Sequence, residues 1–273
     1  MAKDRGYQYN YSASSPAMQD SEGRRRKAAT MIAVLQDYFE YPLDSMRAFD
    51  IGSSRGDIDN YLAGYFNSIV GIDIDTDGIE YAKKTFARPN LFFHQGDALN
   101  LLIPDASIDV IICSQVYEHV PDASKMMDEI YRVLRPGGVC YFAGSNRLMW
   151  MEPHYKLPLL SAIPRPLAHW YLRLSGRADY YHELHLSYWG LKKLVKDFEV
   201  VDYTIEIIGT PEKYGAAYML PAGSLKTRLA FLIAKHAYWL VQGYVWLLRK
   251  PGDYLPQHPD PGDIWIRSSS KEA

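Results

Sequence analysis

Short apolar runs alternate with amphipathic segments along the first half of the chain, and this alternation limits the possible folds more than any other feature. The runs that predict strands are Arg47–Gly52, Ser68–Asp73, Leu91–His94, Ile108–Ser114 and Val139–Ala143. The segments that predict helices are 28–40, Asp57–Phe66, Asp77–Phe86 and Ala123–Leu134. This order predicts a mostly parallel sheet with helices on both faces. Right-handed crossovers then place a ligand crevice at the carboxyl ends of the strands.

The alternation stops after Asn146. Residues 147–187 are rich in Pro, Leu, His and aromatic residues and contain no clean strand. A helix over Tyr188–Asp197 and a long strand over Phe198–Ile208 are predicted next. Residues 209–261 are again irregular, except for one long apolar helix, and Asp263–Arg267 predicts a last strand. The expected fold class is α/β, a doubly wound and mostly parallel seven-stranded sheet with two apolar helical insertions near its functional edge.

These boundaries divide the 273 residues into one α/β domain with two insertions. The parts are a loose polar tail (1–23), an α/β core (24–146), a cap (147–187), a core helix and strand (188–208), an apolar helical insertion (209–261), and a last strand with its tail (262–273). The basic run Arg24–Lys27 favours a solvated helix start, with attraction to anionic lipid as the alternative.

Charge and cysteine content exclude several classes of protein. The net charge of −2 gives no sign of the basic face that nucleic-acid binding needs. The two cysteines, Cys113 and Cys140, lie in predicted strands, where we expect reduced core residues. The N-terminus lacks the basic-then-apolar pattern of a secretory signal. The composition therefore predicts a cytoplasmic protein that does not bind nucleic acid.

Polar side chains follow four successive predicted strands. The first strand runs into the turn Asp50-Ile51-Gly52-Ser53-Ser54-Arg55-Gly56, where the backbone can approach a ligand closely. Asp73 ends the second strand 21 positions after Gly52, about where an acidic residue reaches ribose hydroxyls. The third strand leads into Gly96-Asp97-Ala98 and the fourth into Ser114-Gln115. Each feature alone is common, but the joint pattern is more specific, because four successive strands each end in a polar group at the crevice.

Five stretches, in correct order and spacing, carry a resemblance to a known family. They are FDIGSSRGDIDNYLA (49–63), VGIDIDTDGIEYAKK (70–84), QGDALNL (95–101), IDVIICSQVYEHVPD (108–122) and EIYRVLRPGG (129–138). With them, residues 28–146 resemble the class I S-adenosylmethionine (SAM)-dependent methyltransferases, specifically the small-molecule branch called methyltransferase type 11. The resemblance implies a Rossmann-like enzyme with SAM as cofactor and S-adenosyl-L-homocysteine as product.

The resemblance also implies a role for each position that matches the family's motifs. The residues implied at the methionine end of the cofactor are Asp50, Gly52, Ser54 and Gly56, and those implied at its ribose and adenine are Asp73, Ile74, Asp97 and Ala98. Ser114 and Gln115 are implied to close the site over the sulfonium. Ser54 stands where the family usually has glycine, which puts the affinity for the cofactor in question. The G-x-G-x-x-G spacing is absent, which disfavours a nicotinamide enzyme.

Methyl transfer from a sulfonium is an in-line displacement, so the protein mainly has to hold the acceptor close and aligned. For a hydroxyl acceptor, a general base helps to remove the proton, whereas an acidic carbon or a carboxylate can react without one. His119 after the fourth strand and His154 beyond the fifth are the candidate bases, with a family-typical lid residue as the alternative for His119. Packing is the preferred interpretation of His182 and His185. No Cys/His cluster has metal-ligand spacing, so no metal site is predicted.

The second insertion bears on the acceptor. A helix is predicted over Thr227–Lys250, with Trp239 and Trp246 at the border of a polar stripe. The residues of that stripe recur every seven positions and are Arg228, Lys235, Gln242 and Arg249. Indole rings at such a border are typical of a bilayer interface. An interfacial helix is one interpretation; a helix packed on the fold and a membrane-spanning helix are the others.

Together these observations predict a methyltransferase acting on a small or amphiphilic acceptor. A lipid, an isoprenoid or a lipid-linked sugar is favoured, with a hydroxyl as the methylated group. Residues 209–261 would give the protein peripheral contact with the inner face of the membrane. Methyl transfer to a soluble metabolite and a non-catalytic, methyltransferase-like binding module are the alternatives.

Overall fold

The computed structural model describes residue 9, residues 11–14 and residues 18–254. The helices are α1 (Tyr11–Ser14), α2 (Ser21–Tyr38), α3 (Asp57–Leu62), α4 (Thr76–Thr85), α5 (Ala123–Val133), α6 (Arg165–Leu174), α7 (Tyr188–Leu194), α8 (Thr204–Gly209) and α9 (Leu225–His236). The strands are β1 (Arg47–Ile51), β2 (Ser68–Asp73), β3 (Leu91–Gln95), β4 (Ile108–Ser114), β5 (Leu134–Ser145), β6 (Met151–Glu152), β7 (Leu157–Pro158), β8 (Glu199–Asp202) and β9 (Gly243–Arg249). Two 3₁₀ turns cover Leu43–Ser45 and Tyr238–Leu240.

Seven of these strands form one sheet, in the order β3-β2-β1-β4-β5-β9-β8. Neighbours from β3 to β5 are parallel, whereas β9 runs antiparallel to both β5 and β8. The strand order reverses between β1 and β4, which is where an open α/β sheet forms its ligand crevice. The predicted fold class, a doubly wound and mostly parallel seven-stranded sheet, is confirmed.

Side chains alternate between two hydrophobic cores, one on each face of the sheet. On β4, Ile111 and Cys113 belong to one core, and Val110 and Ile112 belong to the other. Helices α5, α7 and α9 cover the first core, and α2, α3 and α4 cover the second. Because β4 is covered on both faces, its sequence is almost entirely apolar. Cys113 and Cys140 are free thiols buried in the first core.

The prediction of one long helix over Thr227–Lys250 is wrong. Helix α9 ends at His236, and the second half of the segment forms β9, between β5 and β8. Trp246 is only 1% exposed and stacks on Phe142, so it does not lie at a bilayer interface. A strand covered on both faces gives a continuous apolar run, which periodicity alone cannot separate from a buried helix. The seven-residue polar stripe therefore does not exist.

The strand predicted over Phe198–Ile208 is shorter than expected. Strand β8 ends at Asp202, whose Oδ1 accepts a hydrogen bond from the backbone N–H of Thr204 at 2.8 Å, and α8 begins there. A short acidic side chain at this point satisfies a helix N-terminus and ends the strand. The strand predicted over 263–267 lies outside the described residues, and the seventh strand of the sheet is β9.

Where it is described, the amino-terminal region differs from the loose tail predicted over 1–23, of which residues 1–8, 10 and 15–17 lie outside the described part. In α1, Ser12 is buried, and its N–H donates to Asp75 Oδ2 at 2.8 Å. Helix α2 already begins at Ser21. The predicted solvated basic run is exposed from Arg25 to Lys27, but Arg24 is buried against the turn after β1.

The two insertions contain different elements from those predicted. Residues 147–187 contain the small sheet β6–β7 and helix α6, which share a small core of their own. Residues 210–242 contain α9 and lead directly into β9. Among the described residues, no helix has both the length and the apolar character needed to cross a bilayer.

Candidate active site

Backbone hydrogen bonds tie the carboxyl ends of neighbouring strands into one edge. The N–H of Gly52 donates to Ile72 O at 2.9 Å, the N–H of Gly96 to Asp73 O at 3.0 Å, and the N–H of Gln115 to Ala143 O at 2.8 Å. The structure thereby brings to this edge all the cofactor residues predicted from the sequence: Asp50, Gly52, Ser54, Gly56, Asp73, Ile74, Asp97, Ala98, Ser114 and Gln115.

The turn after β1 needs left-handed backbone at three positions. Gly52 has a φ of +81°, and a Cβ there would lie 2.8 Å from Val116 Cγ2, so only glycine fits against the segment that follows β4. Ser54, in place of the family's glycine, has a φ of +53°, and its N–H donates to Asp73 Oδ2 at 2.8 Å. A non-glycine residue in this conformation costs about 1–2 kcal/mol. The departure from the motif therefore keeps the shape of the turn at a small cost in stability.

Both carboxylate oxygens of Asp73 are oriented by the backbone. Oδ2 accepts from the N–H of Ser54, and Oδ1 accepts from the N–H of Asp75 at 2.9 Å. Burial raises the pKa of Asp73, and these two amides oppose the rise. Because each carboxylate oxygen has two lone pairs, each can still accept a ribose hydroxyl. Further along the edge, Asp97 Oδ1 accepts from the N–H of Leu99 at 2.8 Å.

One buried polar atom at the turn points to a ligand. Ser54 Oγ is buried and makes no hydrogen bond within the part of the chain that the structure describes. Buried hydroxyls without a partner are rare in folded proteins, and a polar ligand against the turn would satisfy this one. The close backbone approach at Gly52 and the hydroxyl of Ser54 would suit the methionine part of SAM. The oriented carboxylate of Asp73 would suit its ribose.

Two carboxyl groups are buried next to the turn. Asp50 is the penultimate residue of β1 and Asp59 lies in α3, and both are shielded from solvent. Burial raises the pKa of both groups, the charge of Asp59 raises that of Asp50 further, and the pKa of Asp59 reaches about 7. The guanidinium of Arg24, which donates to Ser53 O at 3.3 Å, opposes both rises. The pair therefore carries fewer than two negative charges at neutral pH.

The segment after β4 is fixed to β5 and to the first insertion. Gln115 has a φ of +59°, and its Oε1 accepts a hydrogen bond from Ser145 Oγ at 2.6 Å. The buried Tyr117 hydroxyl donates to Ser145 O at 2.5 Å and accepts from the N–H of Leu186 at 3.1 Å. These bonds hold the insertion 147–187 at the side of the crevice where an acceptor would bind.

The insertion builds a histidine–glutamate cluster at this position, defined as Glu118, His119, Glu152, His154, Glu183 and His185. The ring centroids of His119 and His154 are 5.0 Å apart, and those of His154 and His185 are 6.1 Å apart. His154 Nδ1 lies 2.6 Å from Glu152 Oε1, and Glu152 Oε2 accepts the N–H of Tyr155 at 2.8 Å. The two candidate bases are therefore neighbours. His185, interpreted as a packing residue, is buried and stacks on Tyr181 next to these two rings, whereas His182 is exposed.

The histidine–glutamate cluster adjoins the turn after β1, because His119 N–H donates to Val116 O at 2.9 Å and the Val116 side chain lies against Gly52. Its three carboxyl groups are buried, and burial raises the pKa of Glu118 to about 7. Burial alone would lower the pKa of His154, but the hydrogen bond to Glu152 and the charges of the surrounding glutamates raise it overall. The cluster therefore favours holding a proton among its carboxyl and imidazole groups.

Two sets of side chains within the cluster bring potential metal ligands together. The ligand atoms of His119, His154 and Glu183 all lie within 4.8 Å of one another, and so do those of Glu152, His154 and His185. The sequence predicted no metal site, because each set combines residues from distant parts of the chain.

A comparison with known protein families matches the residues of this edge to a known domain. Residues 49–142 match the family model described as a methyltransferase domain. The chain contains a class I SAM-dependent methyltransferase domain. The matched residues include the turn after β1, Asp73, Asp97 and the end of β4, and they stop before the insertion at 147–187.

Curated relatives share this domain but differ in their named acceptors. A fatty-acid O-methyltransferase from Mycolicibacterium smegmatis is 30% identical over 118 residues, which are 42% of this chain and 41% of the relative. An arsenite methyltransferase from Aquipseudomonas alcaligenes is 32% identical over 115 residues, 37% of this chain and 33% of the relative. The chain thus matches less than half the length of these relatives, and the shared domain does not determine the acceptor.

A solved structure extends the likeness to the whole fold. A chain from the complex between the Haloferax volcanii Trm112 methyltransferase activator and a methyltransferase superposes with a TM-score of 0.54 at 17% identity. The match covers 90% of this chain and 96% of that chain. At this identity the likeness shows that the fold is shared.

Several residues of the site carried little signal in the sequence. Asp59 has the position of an ordinary helix start, and Arg24 belongs to a run that is otherwise exposed. Glu183 lies in a segment without periodicity. The usable signal was local: Glu118 directly precedes His119, and Glu152 lies two positions before His154. Such acid–imidazole spacings indicate oriented histidines.

Proposed function

We propose that the protein transfers the methyl group of SAM to a hydroxyl of a small or amphiphilic acceptor. The observation that best supports this proposal is that two sites meet at one edge. The turn after β1 and Asp73 form one side of this edge, and the histidine–glutamate cluster forms the other. Val116 connects them, because its side chain lies against Gly52 and its carbonyl oxygen accepts a hydrogen bond from the N–H of His119. Such a pairing suits an in-line transfer between a bound nucleotide and an acceptor hydroxyl.

The cofactor would be held along the edge in the order that the family resemblance implies. Asp50, Gly52, Ser54 and Gly56 would contact its methionine end, Asp73 and Ile74 its ribose, Asp97 and Ala98 its adenine, and Ser114 and Gln115 its sulfonium. When bound, SAM supplies an electrophilic methyl group. The remaining task of the chain is to orient the acceptor and to manage its proton.

His154 is the first candidate to take the proton of the acceptor hydroxyl, and His119 is the second. Glu152 is fully buried and holds His154 Nδ1, so Nε2 is the nitrogen directed away from that carboxylate. Glu152 would thus be a positioning residue. Alanine at both His119 and His154 should abolish methyl transfer while leaving binding of S-adenosyl-L-homocysteine intact. Unchanged turnover in that double variant would contradict the role.

The surface of the first insertion favours an amphiphilic acceptor. On α6, Leu167, Trp170 and Leu174 form one exposed stripe, whereas Ala168 and Leu172 face the core. Residues 153–178 contain Lys156, Arg165, Arg173 and Arg177 but no acidic residue. A basic helix with an exposed apolar stripe binds the surface of anionic bilayers. The fatty-acid O-methyltransferase among the relatives agrees with a lipid-like acceptor.

We therefore propose that membrane contact occurs through α6 rather than through the long helix predicted within 209–261. Flotation with vesicles of phosphatidylcholine and phosphatidylglycerol tests this contact. The wild-type protein should float with the anionic vesicles, and a Leu167→Gln, Trp170→Gln, Leu174→Gln variant should not. Leu102→Gln, at an exposed leucine outside the insertions, is the matched control and should float. A wild-type protein that stays at the bottom of the gradient would favour a soluble metabolite as acceptor.

A further inference from the structure

We propose that the histidine–glutamate cluster binds a divalent transition-metal cation through His119, His154 and Glu183, with Glu152 orienting His154 from outside the metal's ligand shell. The binding site does not depend on the proposed function. The use of the cation in methyl transfer does rest on it.

The geometry is close to that of a three-ligand metal site. The donor atoms of His119, His154 and Glu183 lie within 4.8 Å of one another. Zinc–ligand bonds of about 2.0–2.2 Å in a tetrahedral arrangement place ligand atoms roughly 3.4 Å apart, so each side chain has to move inwards by about an ångström or less. Two histidines and one carboxylate leave a fourth position open, as in catalytic zinc sites.

The surroundings of His154 match those of a metal-bound histidine. Glu152 Oε1 lies 2.6 Å from Nδ1 of His154, which leaves Nε2 to face the cation. A carboxylate on the second ring nitrogen fixes the tautomer and raises the basicity of a metal-bound imidazole. Glu118, Glu152 and Glu183 are all buried. Burying several carboxylates close together is costly, and a divalent cation among them offsets that cost.

The alternative ligand set is less suitable. In the set Glu152, His154 and His185, the cation would compete for Glu152 oxygens that already hold His154 Nδ1 and Tyr155 N–H. His185 Nδ1 is also 2.8 Å from the hydroxyl of Tyr181. Two imidazoles with one carboxylate favour zinc or a similar first-row cation over magnesium or calcium, which prefer oxygen ligands alone.

A cation here would change how the acceptor is activated. With His119 and His154 bound to the metal, neither candidate base could take the proton of the acceptor hydroxyl, so a bound cation and the base role proposed above are alternatives. A hydroxyl that takes the open position would instead have its pKa lowered by coordination, so that it could release its proton to solvent water. Loss of activity in a His154 variant is expected for either role, so the decisive measurement has to be metal binding itself.

The experiment uses the full chain without a histidine tag, stripped with a chelator and then titrated with Zn²⁺ and, for its visible spectrum, with Co²⁺. We expect one equivalent of zinc per chain to survive desalting and Co²⁺ to give the absorption of a four- or five-coordinate site. His119→Ala and Glu183→Gln should lose this stoichiometric binding. His182→Ala, at an exposed histidine beside Glu183, and His185→Gln should retain it. Binding of S-adenosyl-L-homocysteine by each variant shows that it is folded.

Three results would overturn the inference. One is a wild-type protein that retains no zinc and gives only the spectrum of hydrated Co²⁺. Another is metal binding that survives both His119→Ala and Glu183→Gln. The third is loss of binding in His185→Gln with retention in Glu183→Gln, which would show that the ligands are wrongly assigned. Methyl transfer by a metal-free protein would leave the proposed function standing while removing the cation from it.

Discussion

Replacing Asp73 with asparagine isolates the contribution of one carboxylate to cofactor binding. Asparagine keeps the shape of the side chain and one oxygen, which can still accept one of the two backbone N–H groups, from Ser54 or from Asp75. The other carboxylate oxygen becomes an NH₂ group, which faces the second N–H and cannot accept a hydrogen bond from it. The substitution therefore removes the charge, one backbone contact and at least one acceptor for the ribose.

The size of the effect follows from these contacts. A hydrogen bond to a charged group contributes about 1.5–3 kcal/mol, and the carboxylate would make up to two with ribose hydroxyls. Losing one or both should weaken cofactor binding by about 1.5–6 kcal/mol, or roughly tenfold to ten-thousandfold. The N–H left without an acceptor should also lower the free energy of unfolding by about 1–3 kcal/mol.

Isothermal titration with S-adenosyl-L-homocysteine measures the affinity, and denaturant unfolding measures the stability. Asp77→Asn is the matched control, because Asp77 is an exposed acid near the start of α4, four positions further along the chain. The control should bind like the wild type. A folded Asp73→Asn protein whose affinity stays within about threefold of the wild type would refute the assignment of ribose binding to the end of β2.

Three further predictions concern the supports of the site. Gly52→Ala should destabilise the fold by more than Gly223→Ala. Both glycines have positive φ, which costs alanine about 1–2 kcal/mol at either position, but only at Gly52 would the new Cβ also collide with Val116. Equal losses of stability in denaturant unfolding would contradict the close approach. Asp59→Asn should stabilise the protein more at about pH 8 than at about pH 5, because burial raises the pKa of Asp59 from 3.8 to about 7, so that ionisation costs stability as the pH rises through that range. A variant-minus-wild-type difference that is independent of pH would count against this. Asn146→Ala should lower the free energy of unfolding by about 2–5 kcal/mol, because the buried amide donates to Trp239 O and Val241 O at 2.8 Å each; a loss below about 1 kcal/mol would show that these bonds do not anchor the second insertion.

The parallel half of the fold was predictable because its signals are local. Strands β1 to β4 each end in a polar residue or a glycine turn, and the helices between them have regular apolar spacing. Those features follow from sequence neighbours alone. The antiparallel half was not predictable in the same way, since β9 is apolar on both faces and its identity as a strand depends on β5 and β8 lying beside it.

The same contrast holds for the site. Asp73 could be found from its spacing along the sequence after Gly52, because a βαβ unit fixes both this spacing and the edge on which the residues meet. The histidine–glutamate cluster could be found only in part. His119 and His154 follow identified strands, but Glu183 and His185 reach them through the path of an insertion whose course no periodic pattern records.

The central claim, SAM-dependent methyl transfer to an amphiphilic acceptor, is tested most directly by following a labelled methyl group. The purified protein is incubated with SAM labelled at the methyl group and an extract of the source cells, and the products are partitioned between organic solvent and water. We predict label in the organic phase with the wild-type protein and little or none with Asp73→Asn. Label confined to the aqueous phase would contradict the amphiphilic acceptor, and no transferred label from a protein that binds the cofactor would contradict the enzymatic function itself.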